Sequence, residues 1–222
     1  MPSISPQADS SRRRTQAERS ALSDRRMTAA AVELIAARGV ARTTLAAIGE
    51  AAGYSRGLAT HRFGSKAGLL RHVIKRVSRE WLRRLDLAVG DKVGLAALEA
   101  ALDTQLGFIR DAPNDVRTMY LLWFQSIEPD AEYRPNVAEV HRQQRETVTH
   151  WIAEGQARGL VAPAVSPRHV AEYFCAAGAG LVFHWLVNPE FPMTDAMNEM
   201  KAELAAWLSL PGNRSDDTRI PD

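Results

Sequence analysis

The chain has 222 residues, 45% hydrophobic and 24% charged, which suits a soluble globular protein of one large domain or two small ones. Its single cysteine, Cys175, excludes an intrachain disulfide and a multi-cysteine zinc site, and fits a reducing cytoplasm. The net charge of +2 hides an uneven distribution: residues 1–89 hold 17 Lys and Arg against 7 Asp and Glu, while residues 90–222 hold 11 against 19, so the front alone suits a polyanion.

Residues 1–14, MPSISPQADSSRRR, are polar and without apolar periodicity, which predicts a disordered arm. They contain no apolar h-region, which argues against a secretory signal. Arg12, Arg13 and Arg14 suit either a minor-groove contact or a merely solubilising tail. Thr15-Gln16-Ala17-Glu18 has capping-box spacing and opens a helix to about Arg38. Met27, Ala30, Ala31, Leu34 and Ile35 keep its apolar stripe, and Gly39 stops it.

The stretch from Thr43 to Lys66 organises the rest. Thr44 is placed to cap a short helix whose inner face is Leu45, Ile48 and Ala52. Gly53 ends that helix in a turn calling for positive φ. Ser55 is placed to offer its hydroxyl to the next short helix, which ends near Gly64. Two helices joined by so short a turn match a helix-turn-helix, whose second helix can enter a DNA major groove. Ser65 caps a long basic helix starting at Lys66, with Leu69, Leu70, Val73, Ile74, Val77, Trp81 and Leu85 as its stripe.

Beyond it every segment keeps a helical period. Helices are expected over Leu95 to Arg110, Val116 to Ile127, Pro135 to Arg158, Pro167 to Val187 after the Ser166 cap, and Thr194 to Leu210. The fold class is therefore all-α: a helix-turn-helix domain at 15–65, a larger helical domain at 66–210 whose first helix (66–89) links the two, and a loose tail at 211–222.

Gly39-Val40-Ala41-Arg42-Thr43-Thr44, Ile48, Ala51-Ala52-Gly53-Tyr54-Ser55-Arg56-Gly57 and Phe63-Gly64-Ser65-Lys66, taken together, resemble the N-terminal domain of TetR-family transcriptional regulators. The match spans roughly residues 22–75, with glycines, caps and core positions agreeing in order and spacing. The segment from Gly180-Leu181 through His184-Trp185-Leu186 to Asn188-Pro189 is similar to the dimer-forming penultimate helix of many members. The resemblance implies a cytoplasmic homodimer on a palindromic operator in double-stranded DNA. It also implies a small effector bound among the helices of the larger domain, tilting the fourth helix and the DNA heads. Repression is the family's common mode. This chain departs from the usual recognition helix, with Thr60 where a Tyr is common, Arg62 where a His is common, and Ala67-Gly68 where a Glu commonly follows.

Outward positions near the start of the recognition helix make Arg56, Leu58 and His61 the candidates for reading bases. A bidentate Arg–guanine contact gives about 1–3 kcal/mol of discrimination. Thr44, Ser55, Thr60 and Lys66 suit phosphates, because cap hydroxyls and helix N-termini favour anions, and Arg62 adds a charged contact. Gly178, Gly180, Leu181, Trp185, Met200, Leu204 and Trp207 are candidates for a dimer interface, the alternative being a helix buried within one chain. His169, Glu172 and His184 interrupt the penultimate helix and argue against a membrane span.

Phe108, Tyr120, Trp123, Phe124, Trp151, Tyr173 and Phe174, with His141, Arg145 and Cys175, form either an effector pocket or plain core. A pocket of such residues would favour an apolar or aromatic effector. There is no HExxH, GxSxG, Walker A or GxGxxG motif, and nothing calls for a metal or cofactor. A ligand-released repressor is the leading reading. An activator or architectural DNA binder without effector, and a helical ligand-binding protein or enzyme without specific DNA affinity, are the alternatives.

Overall fold

A computed structural model describes residues 15–209; the candidate arm residues Arg12, Arg13 and Arg14, and the tail at 211–222, lie outside them. The described chain forms α1 (Gln16–Arg38), α2 (Leu45–Ala51), α3 (Arg56–Phe63), α4 (Lys66–Val89), α5 (Gly94–Asp111), α6 (Pro113–Gln125), α7 (Arg134–Ala157), α8 (Pro167–Val187) and α9 (Met193–Leu208). No strand occurs among the described residues.

Local chemistry accounts for most boundaries. The α1 capping box is complete: Glu18 N donates to Thr15 Oγ1 at 3.2 Å, and Thr15 N donates to Glu18 Oε2 at 2.8 Å. Ala47 N donates to Thr44 Oγ1 at 3.2 Å at the head of α2, and Gly68 N to Ser65 Oγ at 3.0 Å at the head of α4. Ser55 departs from expectation. It stands at the start of α3 in extended backbone, but its hydroxyl makes no capping hydrogen bond. Its carbonyl closes the first turn instead, accepting from Leu58 N at 3.1 Å, which leaves the hydroxyl exposed.

The turn between α2 and α3 depends on two glycines. Gly53 takes φ 79°, in the left-handed region that glycine enters without a Cβ penalty. Gly49 matters for space: a Cβ there would stand 2.7 Å from the Ser55 carbonyl oxygen, so only glycine lets α2 run this close to the start of α3.

Two later boundaries moved. Pro113 opens α6 rather than closing the preceding loop, since the first helical position has no use for the N–H that proline lacks. The last helix begins at Met193, one residue before Thr194, without a side-chain cap.

One contiguous apolar core runs the length of the molecule. In the head, Met27, Ala31 and Ile35 of α1 meet Ile48, Ala59 and Phe63, and the stripe of α4 carries that core into the larger bundle. Burying a side chain such as Ile35 or Ile48 stabilises the fold by about 1.5–3 kcal/mol. The head is also tied to α6. The fully buried Thr118 hydroxyl donates to the Val32 carbonyl at 3.1 Å, Asn114 Nδ2 donates to Glu33 Oε2 at 2.7 Å, and Arg76 of α4 pairs with Asp115.

Among the described helices, α8 alone is long and apolar enough to cross a membrane. It packs instead against α7 and α9, and part of its apolar surface stays exposed.

Candidate DNA-binding surface and effector cavity

At the helix-turn-helix end, α3 presents Arg56, Gly57, Thr60 and His61 to solvent. Arg56 is the most prominent, with its side chain 76% exposed, and it is held by an ion pair to Glu50 of α2. Leu58 is half-buried against the core, so it is less available for a base than its position in the sequence implied. The exposed hydroxyls of Thr44, Ser55 and Thr60 lie on the same short stretch.

Two cations assigned to phosphates have protein partners. Arg62 Nε donates to Asp24 Oδ1 at 2.8 Å and Arg62 Nη2 to Asp24 Oδ2 at 2.5 Å, a bidentate clamp of α3 onto α1. The hydrogen bond to Asp24 raises the pKa of Arg62 above the ordinary arginine value. Arg62 is therefore not a free cation here: it fastens the recognition helix to its support. Lys66 Nζ donates to the Ala41 carbonyl at 3.1 Å, and burial pulls its pKa below the ordinary lysine value.

The larger bundle encloses a cavity of about 110 Å³ between α4, α5, α6, α7 and α8. Its aromatic walls are Trp81, Tyr120, Trp123, Trp151 and Phe174, with His141, Gln105, Gln144 and Cys175 among the polar lining. Tyr120 is fixed by its hydroxyl, which donates to the Ala179 carbonyl at 3.0 Å. Trp123 is sandwiched between Tyr120, at 4.7 Å between ring centroids, and His141, at 4.5 Å.

Burial, aided by the charge of Arg145, holds the His141 pKa below the ordinary histidine value, so this imidazole resists protonation. Burial pushes the Cys175 thiol up to about 11, despite the opposing pull of Arg145. A neighbouring cavity of about 60 Å³ shares Trp81, Gln105, Tyr120, Trp123 and Gln144 with the first.

Of the pocket candidates, Tyr120, Trp123, His141, Trp151, Phe174 and Cys175 line the main cavity. Phe108 lines only the smaller one. The other three candidates do not line either. Phe124 is 51% exposed and packs on Phe183 at 5.4 Å; Tyr173 donates its hydroxyl to Glu203 at 3.1 Å and meets Trp207; Arg145 acts on the cavity through its charge alone. Composition marked these side chains as pocket candidates, but the helix face that carries them is set by packing. Trp81 and Gln144 were missed for that reason, although Trp81 was already visible on the α4 stripe.

The dimer candidates on α8 and α9 divide as well. Gly180 and Leu181 line an open groove with Tyr173, Ala177 and His184, while Trp185 is half-buried and Trp207 is 36% exposed. Gly178 is two positions from Gly180, roughly 200° around a helix, and it faces the bundle cavity instead. Leu204 is fully buried in the chain's own core, which leaves it no surface for a second subunit, whereas Met200, nearly as buried, still borders the open groove.

An all-helical chain with a helix-turn-helix at one end and an aromatic cavity in the attached bundle defines a class, the DNA-binding transcriptional regulators. Residues 28–73 match the profile of bacterial regulatory proteins of the tetR family, and residues 95–209 match that of the C-terminal domain of BetI-type transcriptional repressors. The chain belongs to the TetR family of transcriptional regulators, which are DNA-binding regulators and not enzymes.

No curated protein sequence matches it. Solved structures do. A TetR regulator from Chloroflexus aurantiacus is 21% identical with a TM-score of 0.78, over 87% of this chain and 99% of that one. FadR of Bacillus subtilis, in complex with stearoyl-CoA, is 18% identical with a TM-score of 0.73, over 83% and 99%. SmeT of Stenotrophomonas maltophilia, in complex with triclosan, is 20% identical with a TM-score of 0.71, over 84% and 92%. At these identities the likeness is one of fold.

Proposed function

We propose that this protein is a repressor that binds a palindromic operator as a homodimer and leaves it when a small apolar or aromatic molecule enters the bundle cavity. The observation that carries the reading is the position of α6. It lines the cavity with Tyr120 and Trp123, and it holds α1 of the head through Thr118 and Asn114. A ligand that shifts α6 acts on the element supporting the recognition helix, provided it binds the two states with different affinity.

Dimerisation is supported by the apolar surface left open on α8 and α9, including Phe183, Val187 and Trp207. Two proteins of the same fold carry ligands with an apolar part, the stearoyl chain of stearoyl-CoA and the aromatic rings of triclosan. On the DNA side, Arg56 and His61 are the bases' readers in this proposal. The hydroxyls of Thr44, Ser55 and Thr60, with Lys66, serve the phosphates.

Selection of binding sites from a random DNA pool tests the core of the reading. A palindrome is expected, with affinity falling steeply as salt rises. Enrichment of no sequence overturns the operator reading. Arg56→Ala is expected to relax preference at one base position; a uniform loss over all sequences would make Arg56 a phosphate contact.

A further inference from the structure

The two cavities behave as two lobes of one space. They share Trp81, Gln105, Tyr120, Trp123 and Gln144, and the smaller lobe adds Val77 and Ser78 of α4 and Val116 and Met119 of α6. Neither lobe is lined by an Asp, Glu, Lys or Arg. An ion entering here would shed its water with no charged side chain in the wall to pair with it. The charge of Arg145 bears on both His141 and Cys175 in the wall of the larger lobe, so a cation would meet repulsion as well.

Two polar atoms on residues that line this space stand out. Trp123 Nε1 and Ser78 Oγ are sealed from solvent and have no hydrogen-bond partner among the described residues. Trp123 borders both lobes and Ser78 the smaller one. An indole N–H can only donate, and a serine hydroxyl donates readily, so both are served by the same kind of group, an acceptor oxygen or nitrogen. The Tyr120 hydroxyl does not compete for it, since it already donates to the Ala179 carbonyl.

Resting on the effector reading above, we propose that the effector is an uncharged molecule with an aromatic body and a hydrogen-bond acceptor. The body packs among Trp81, Tyr120, Trp151 and Phe174 in the larger lobe, and the acceptor meets Trp123 Nε1 and Ser78 Oγ where the lobes join. The acceptor end then lies between α4 and α6, the two helices that the Arg76–Asp115 pair joins. A ligand seated there wedges α4 from α6, whereas one confined to the larger lobe leaves that contact alone.

The test uses the full chain labelled with ¹⁵N-tryptophan, whose 5 tryptophans give separate indole N–H signals, that of Trp123 being assigned with Trp123→Phe. The probes are benzophenone, diphenylmethane (the same shape without the carbonyl) and benzyltrimethylammonium. Benzophenone is expected to move the Trp123 signal downfield and to bind about tenfold tighter than diphenylmethane, the preference shrinking in Trp123→Phe and in the milder Ser78→Ala.

Equal binding of benzophenone and diphenylmethane with the Trp123 signal in place, or tightest binding of the ammonium, overturns the acceptor proposal and leaves the effector reading standing. If no probe shifts any indole signal or lowers operator affinity, both fail.

Discussion

At the helix-turn-helix end, Arg56, Arg62 and Lys66 each already hold a protein partner: Glu50, Asp24 and the Ala41 carbonyl. In the bundle cavity the situation is reversed. No charged side chain lines the wall, and the Trp123 indole N–H is left without a partner. The first arrangement makes a surface that is pre-shaped by exchangeable contacts, since an exposed pair such as Arg56–Glu50 contributes at most about 1 kcal/mol and yields readily to a phosphate or base. The second leaves a mostly apolar space in which one matched hydrogen bond discriminates strongly. In the proposed function, DNA recognition and ligand recognition are thus separated by chemistry, yet a single apolar core joins the two regions.

The sharpest way to break this comparison is to test whether the two regions are one folding unit. Ile48→Ala in the head and Leu98→Ala in the bundle each empty a fully buried position, and each is expected to cost about 2–5 kcal/mol in urea unfolding. Both should shift a single transition. A head that melts separately in the Ile48 variant would mean that the shared core does not couple them.

Next in size is Gly49→Ala. The added methyl meets the Ser55 carbonyl and pushes α3 away, at a cost of about 1–3 kcal/mol in stability. Operator affinity should fall while binding of probes to the cavity is retained. Equal losses of both would place the effect on the whole molecule.

Asp24→Asn releases Arg62 from its clamp. The pair is partly exposed, so the stability change should stay below about 1 kcal/mol, readable as a small drop in melting temperature. Operator binding tells more: a loss at all sequences fits a recognition helix that has lost its support, and a gain would return Arg62 to the phosphate contacts.

The smallest effect is expected from pH. The folded pKa of His141 is depressed by burial and by Arg145, so the unfolded chain takes up a proton at a higher pH than the folded one. Stability therefore rises with pH through that window and falls as the solution is acidified below the ordinary value of about 6.5. His141→Gln should flatten this dependence in denaturant titrations between neutral and mildly acid pH. An unchanged slope would remove His141 as its source.

Several features were legible in the sequence because their causes are local. Thr15 with Glu18, Thr44, and Gly53 acted through neighbours three or four residues away, and the structure forms those contacts. Ser55 shows the limit even of local reasoning: a residue type suited to capping sits at the cap position, and a backbone carbonyl does the work in its place. Arg62 shows another limit, since its partner Asp24 lies 38 positions away and only helix packing brings them together.

By itself, the sequence determined the helical class, the helix-turn-helix, the side-chain caps of α1, α2 and α4, and the family, because periodicity, caps and turn glycines are written over a few residues. The tertiary structure decided which face each helix turns inward. It put Gly178 on the cavity and Gly180 on the open groove, buried Met200 and Leu204 in the chain's own core, and enclosed Trp123 and Ser78 without partners. A helix turns about 100° per residue, so one step in register moves a side chain from core to cavity or surface. That rotation is set by contacts distant in the chain, which no local pattern records.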